Sequence, residues 1–161
     1  MKNEQPEIQE LSERVVACAS FIGNYIGNTE IFANLFGKLY EWAGSKGLIT
    51  SETLFISSYP NNPKSTPPDE LQVDACMSIP DETDAGGDIQ KKVLPGGKYT
   101  VMHCELTGAQ EYELAWEEIA VWVGKSGYEI DISRPAYEVY LNNPEEHPQK
   151  HHIVDICLSV K

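Results

Sequence analysis

Apolar residues recur along this chain in two rhythms, and each rhythm is written twice. Between Thr29 and Lys46 they fall at helical spacing: Phe32, Leu35, Phe36, Leu39, Trp42 and Ala43. Between Gln110 and Lys125 the same spacing returns as Tyr112, Ala115, Trp116, Ile119, Trp122 and Val123. Residues at i, i+3, i+4 and i+7 share one helix face, so two amphipathic helices are predicted. Gly47 and Gly127 stand where a left-handed C-terminal cap is expected. A β-rich run precedes each helix, Val15 to Ile22 and Tyr99 to Leu106, and two further strands follow it. The first of these ends in each half at an Asn-Asn-Pro turn, where Asn tolerates left-handed geometry and Pro stops strand pairing.

The resemblance between the halves extends to individual residues. At an offset of 81, Tyr59, Asn61, Asn62 and Pro63 recur as Tyr140, Asn142, Asn143 and Pro144. The same offset carries Val73, Asp74 and Cys76 onto Val154, Asp155 and Cys157. At an offset of 80, Leu39, Trp42 and Gly47 fall on Ile119, Trp122 and Gly127. Ordered identities over two halves mark an internal duplication. The expectation is an α+β fold of two repeated strand–helix–strand–strand units, residues 8–80 and 89–161, joined by an acidic connector over 81–88. Together these make one domain with an antiparallel sheet, both helices on one face, and a central cleft where the units meet.

Composition narrows the function classes. The 161 residues carry 25 acidic and 12 basic side chains, a net charge of −13, which repels a phosphate backbone and argues against direct nucleic-acid binding. Such a field favours cationic ligands. The polar, acidic start, MKNEQPEIQE, has neither the basic region nor the apolar stretch of a signal peptide, so a cytoplasmic protein without membrane segments is expected. Cys18, Cys76, Cys104 and Cys157 lie in apolar stretches without C-x-x-C spacing and read as free, buried thiols.

One residue stands out as candidate chemistry. Glu138 lies mid-strand in AYEVYL, where the first half has Ser57. Strand alternation assigns Tyr137, Val139 and Leu141 to the face packed under the helices, and places Glu138 and Tyr140 on the other. Phe55 and Tyr59 belong to the corresponding strand of the first half. A carboxylate among aromatic rings suits a cationic, flat or amphiphilic ligand; the competing reading is a solvent-facing strand glutamate. The segment EEHPQKHH, with His147, His151 and His152, lacks cysteine and helical spacing and reads as a solvated loop, so no metal is expected. LPGGKY precedes a strand, not a helix, and reads as a tight turn rather than a phosphate loop. No nucleophile has a motif-supported base.

Taken together, LPGGKY, Thr107-Gly108, SGYEIDISRPAYEVYLNNP, VDICLSV, the helix LFGKLYEWAGSKGL and the run PPDELQVDAC resemble the GyrI-like, AraC-type effector-binding domain family, from about Ile8 to Lys161. The resemblance implies a duplicated fold whose cleft binds hydrophobic, often cationic compounds, without a cofactor. The family's ligand-contacting acid lies in its E-x-Y strand, which only Glu138 matches here; Phe55, Tyr59, Trp116 and Tyr140 are the implied aromatic lining. With no DNA-binding module alongside it, a transcriptional role would need a partner protein. Three functions follow: a xenobiotic or metabolite binder, a hydrolase of cyclopropanoid electrophiles in which Glu138 activates water, and a protein-interaction regulator such as a gyrase inhibitor.

Overall fold

A computed structural model describes all 161 residues. The chain divides into two compact units, one formed by Glu13–Pro95 and the other by Met1–Ser12 with Gly96–Lys161. The elements, in chain order, are strands β1 (Lys2–Asn3), β2 (Glu7–Leu11) and β3 (Arg14–Ile22), helix α1 (Thr29–Gly44), and strands β4 (Phe55–Tyr59), β5 (Gln72–Ser78), β6 (Gln90–Leu94) and β7 (Gly97–Leu106). Helix α2 (Tyr112–Ser126) and strands β8 (Ala136–Tyr140) and β9 (His152–Ser159) complete the chain. The architecture is α+β, and within each unit the strands pair antiparallel. Neither helix is long and apolar enough to cross a membrane.

Both units use the same core topology. In the unit of Glu13–Pro95, β5 lies between β3 and β4. In the other, β9 lies between β7 and β8. Even the registers correspond: Ile56 faces Cys76 and Ser57 faces Ala75, while Tyr137 faces Cys157 and Glu138 faces Ile156. The repeated Asn residues explain how that register is held. Asn61 Oδ1 accepts the backbone N–H of Gln72 at 2.8 Å, and Asn142 Oδ1 accepts that of Ile153 at 2.8 Å. The second Asn of each pair makes a local turn instead, Asn62 accepting from Lys64 N and Asn143 from Glu145 N. Neither takes left-handed geometry, since Lys150 is the one non-glycine residue at positive φ.

Three strands escaped the sequence reading: β1, β2 and β6. Their residues are too polar to show a buried face, because each adds to the rim of a sheet already built. Strand β6 pairs with β3, and β2 pairs with β7, so the strand ahead of each repeat completes the sheet of the other unit. LPGGKY therefore bends the chain between β6 and β7, which pair with different partners, and is not a hairpin. Helix α2 ends at Gly127 with φ 85°, as expected. Regular α1 geometry ends at Gly44 and Ser45, and Gly47 (φ 64°) closes the helix with the expected left-handed turn, in which Leu48 N–H returns to Ala43 C=O and Gly47 N–H to Gly44 C=O.

The helices cover the face opposite to the one expected. Leu35, Leu39 and Ala43 of α1 pack on Ala17, Ala19, Ala75 and Met77. Ala115 and Ile119 of α2 pack on Met102, Cys104, Val154 and Ile156, with Tyr140 and Leu158 at the margin. Since Glu138 faces Ile156 and Tyr140 faces Val154, both lie under α2; Tyr137 and Val139 point the other way. Alternation correctly separated the two sets. The assignment of sides failed because the helix-facing set contains a carboxylate, which a hydrophobicity rule rejects.

Candidate functional site

Burial of a carboxylate beneath a helix demands hydrogen-bond donors, and α2 and β8 supply them. Glu138 is 5% exposed. Its Oε2 accepts the indole N–H of Trp116 at 2.7 Å, and its Oε1 accepts the phenolic O–H of Tyr140 at 2.7 Å. Trp116 reaches down from α2, while Tyr140 lies two residues along the same strand on the same face, as strand periodicity requires. Such short bonds to a charged acceptor are stronger than neutral ones and fix the carboxylate's plane.

Tyr112 lies one helical turn before Trp116 and joins the same surroundings. Burial, then the negative charge of Glu138, then Cys104 hold its phenol well above the usual tyrosine range. Its hydroxyl therefore stays protonated, and it meets Nδ1 of His152 at 2.9 Å. His152 itself is pushed down, first by burial and then by the neighbouring His151. The buried thiol of Cys104 is pushed up to about 12, chiefly by burial. All four cysteines are free and buried.

The structure therefore brings Glu138, Trp116 and Tyr140 into one hydrogen-bonded cluster and rejects the solvent-facing reading of Glu138. Phe55 and Tyr59 belong to the aromatic group of the other unit. Phe55 stacks on Tyr40 with centroids 4.9 Å apart, and Tyr59 lies 5.5 Å from Tyr25 and 6.4 Å from Phe32. The sequence reading missed Tyr112 as part of the carboxylate's surroundings, although its place one turn before Trp116 carried that signal. The repeat-related acids Asp74 and Asp155 lie on the faces away from the helices. Asp74 accepts from Ser20, Gln72 and Lys92, and Asp155 pairs with His103 at 2.8 Å.

Residues 4–161 match the GyrI-like small molecule binding domain. The chain belongs to that family. Over 143 residues it is 26% identical to a DNA gyrase inhibitor of Escherichia coli (strain K12), covering 87% of each chain. In fold it is similar to the EcmrR C-terminal domain, with a TM-score of 0.74 at 17% identity over 98% of this chain and 97% of that one. It spans 57% of EcmrR in that protein's complex with DNA, at 17% identity and a TM-score of 0.79 over 98% of this chain. A structure of SAV2435 bound to tetraphenylphosphonium shares the fold at 12% identity, with a TM-score of 0.64 over 98% of this chain and 94% of that one.

Proposed function

We propose that this chain binds hydrophobic cations, with Glu138 as the acid that recognises charge and Trp116 and Tyr140 as the rings around it. The observation that carries this reading is a carboxylate 5% exposed and held by two aromatic donors at 2.7 Å each. Indole and phenol donors leave the carboxylate's negative charge in place while they order it. A ligand cation gains from that charge and from the ring faces, and its apolar groups gain from leaving water. That SAV2435 takes tetraphenylphosphonium supports this ligand class for the fold, and the net charge of −13 would raise the local cation concentration. Phe55 and Tyr59, on the corresponding strand of the other unit, are proposed as further ligand contacts.

The test is calorimetric titration of tetraphenylphosphonium against neutral triphenylphosphine oxide, with wild type and Glu138→Gln. Glutamine keeps size and loses charge, so the cation should weaken by about tenfold or more while the neutral compound changes little. Equal loss for both, or loss for neither, would remove Glu138 from charge recognition. Phe55→Ala, run in parallel, tests the ring assignment separately.

A second reading is favoured by the names of the relatives: the chain acts on DNA gyrase through a protein surface. A supercoiling assay with purified gyrase separates the two, since inhibition that persists in Glu138→Gln would not depend on the carboxylate.

A further inference from the structure

The loop read from sequence as solvated holds two histidines against a carboxylate that no local motif connects to them. Glu105 of β7, His147 and His151 each place one ligand atom within 4.8 Å of the others. We propose that these three side chains form a binding site for a divalent transition ion of the zinc type, with one or more positions open to water.

Several features fix the loop that carries the histidines. Residues 144–146 form a short 3-10 turn with Pro144 in its first turn and Asn143 accepting from Glu145 N–H. His147 N–H returns to Pro144 C=O, and Lys150 N–H to His147 C=O at 3.0 Å. Lys150 takes φ 59°, which reverses the chain and brings residue 151 back toward 147. Asn142 then clamps both ends, donating to His151 C=O at 3.0 Å and accepting from Ile153 N–H at 2.8 Å. The two imidazoles consequently lie side by side, 4.9 Å between centroids and 11° between planes. Glu105, opposite Ile153 in the β7–β9 ladder, supplies the third group.

The donor set matches the chemistry of the ion. Two imidazoles and one carboxylate, with the histidines separated by three residues, are ligand types and spacing that suit zinc. Ligand bonds of roughly 2.0–2.2 Å in a tetrahedron place ligand atoms about 3.3–3.5 Å apart. His151 Nδ1 and Glu105 Oε2 are 2.6 Å apart, joined by a hydrogen bond. An entering ion would take the place of the proton of that bond, which leaves to water from an imidazolium or passes to Nε2 of a neutral ring, and would move the two atoms apart by under about 1 Å. His147 closes in by side-chain rotation. All three residues are half-buried, which gives the ion an entry path. The charge of Lys2, on the strand paired with Glu105, opposes the ion and limits its affinity.

The full chain, titrated with ZnCl2 against a chromophoric chelator, provides the test, with unfolding midpoints in chelator as the folding control. One ion per chain is expected, with affinity falling about tenfold or more in both His147→Ala and Glu105→Gln. His103→Gln, which alters the other His–carboxylate pair, should bind as wild type. Co2+ should give the visible absorption of a low-coordinate nitrogen–oxygen site in wild type and lose it in His147→Ala, which separates ligation from folding. Absence of binding by wild type, undiminished affinity in both ligand variants, or loss confined to His103→Gln would overturn the proposal.

Discussion

Two repeats with the same strand order and register have filled the same space under their helices with different chemistry. In the unit of Glu13–Pro95, the space beneath α1 holds Phe32, Phe36 and Leu71 around Ser57 and Tyr59. In the other unit the corresponding residues are Tyr112, Trp116, His152, Glu138 and Tyr140. The buried anchors of the helices keep their places: Leu35, Leu39 and Ala43 in one, Ala115, Ile119 and Val123 in the other. Four polar replacements have thus gathered at one spot, and they are matched to each other. Glu138 has the indole N–H that Phe36 could not give, and Tyr112 meets a histidine where Phe32 packs near a leucine. A polar group under a helix is tolerated when its partners arrive with it, because an unsatisfied one costs more than the bond it replaces.

The strongest way to break this comparison is to move the carboxylate alone. Ser57→Glu places an acid beneath α1, where Phe36 stands in place of the tryptophan. Tyr59 stands where Tyr140 does, but the indole donor is missing, and burial of a charge short of a donor should destabilise by about 3 kcal/mol or more. For a chain of this size that is a fall in Tm of roughly 6–12 °C. Adding Phe36→Trp to Ser57→Glu should recover part of the loss, since the indole N–H then exists at the corresponding helix position. Thermal unfolding of both variants decides it. A single variant within a degree of wild type would mean that the two spaces are not chemically distinct.

The reverse exchange is expected to have a smaller effect. Trp116→Phe keeps a ring under α2 but removes the indole donor to Glu138, at a cost of about 1–2 kcal/mol. Phe36→Leu in the other unit removes only packing and serves as the reference. Urea unfolding of the two variants sharpens the comparison further. Trp116→Phe should lose stability without a change in m-value, and a double variant with Glu138→Gln should lose less than the sum of the two. Strict additivity would show that the 2.7 Å contact carries no coupling.

Much of this was legible in the sequence, and for a physical reason. Asn61 and Asn142 pin backbone N–H groups eleven residues onward, a task that depends on residue identity, so the duplication shows up as identities at a fixed offset. The helices were legible because their apolar stripes must face a sheet. The polar rim strands β1, β2 and β6 were not, because their pairing is decided by backbone bonds that no side-chain pattern records. For Glu138 the residue was legible and its side of the sheet was not. Strand alternation distinguishes two faces without saying which is covered, and the deciding donor, Trp116, lies 22 residues away. Distance in sequence also concealed Glu105 from His147 and His151, which only the β7–β9 ladder brings together.

The smallest effect belongs to the Tyr112–His152 pair, and it can be isolated through pH. Burial lowers the folded-state pKa of His152, so the folded protein resists a proton that the unfolded chain accepts. The unfolded state therefore binds more protons in the window between the unfolded value, about 6.5, and the lowered folded one. Stability should fall as pH drops through that window and be flat with respect to this group above it. His152→Leu, which installs the counterpart of Leu71, removes the group and should flatten that part of the profile while leaving the carboxylate-dependent acid limb in place. Both proteins should be unfolded in urea at several pH values from 7 downward, with chelator present so that no ion reports through His151. The difference between the two profiles cancels His103 and His147, which both proteins retain, and leaves His152 together with its coupling to His151. A parallel pair of profiles would mean that His152 gains a proton as readily folded as unfolded. The Tyr112–His152 contact would then hold the charged ring as well as the neutral one, and this corner of the polar cluster would be as indifferent to charge as the Phe32–Leu71 corner it replaced.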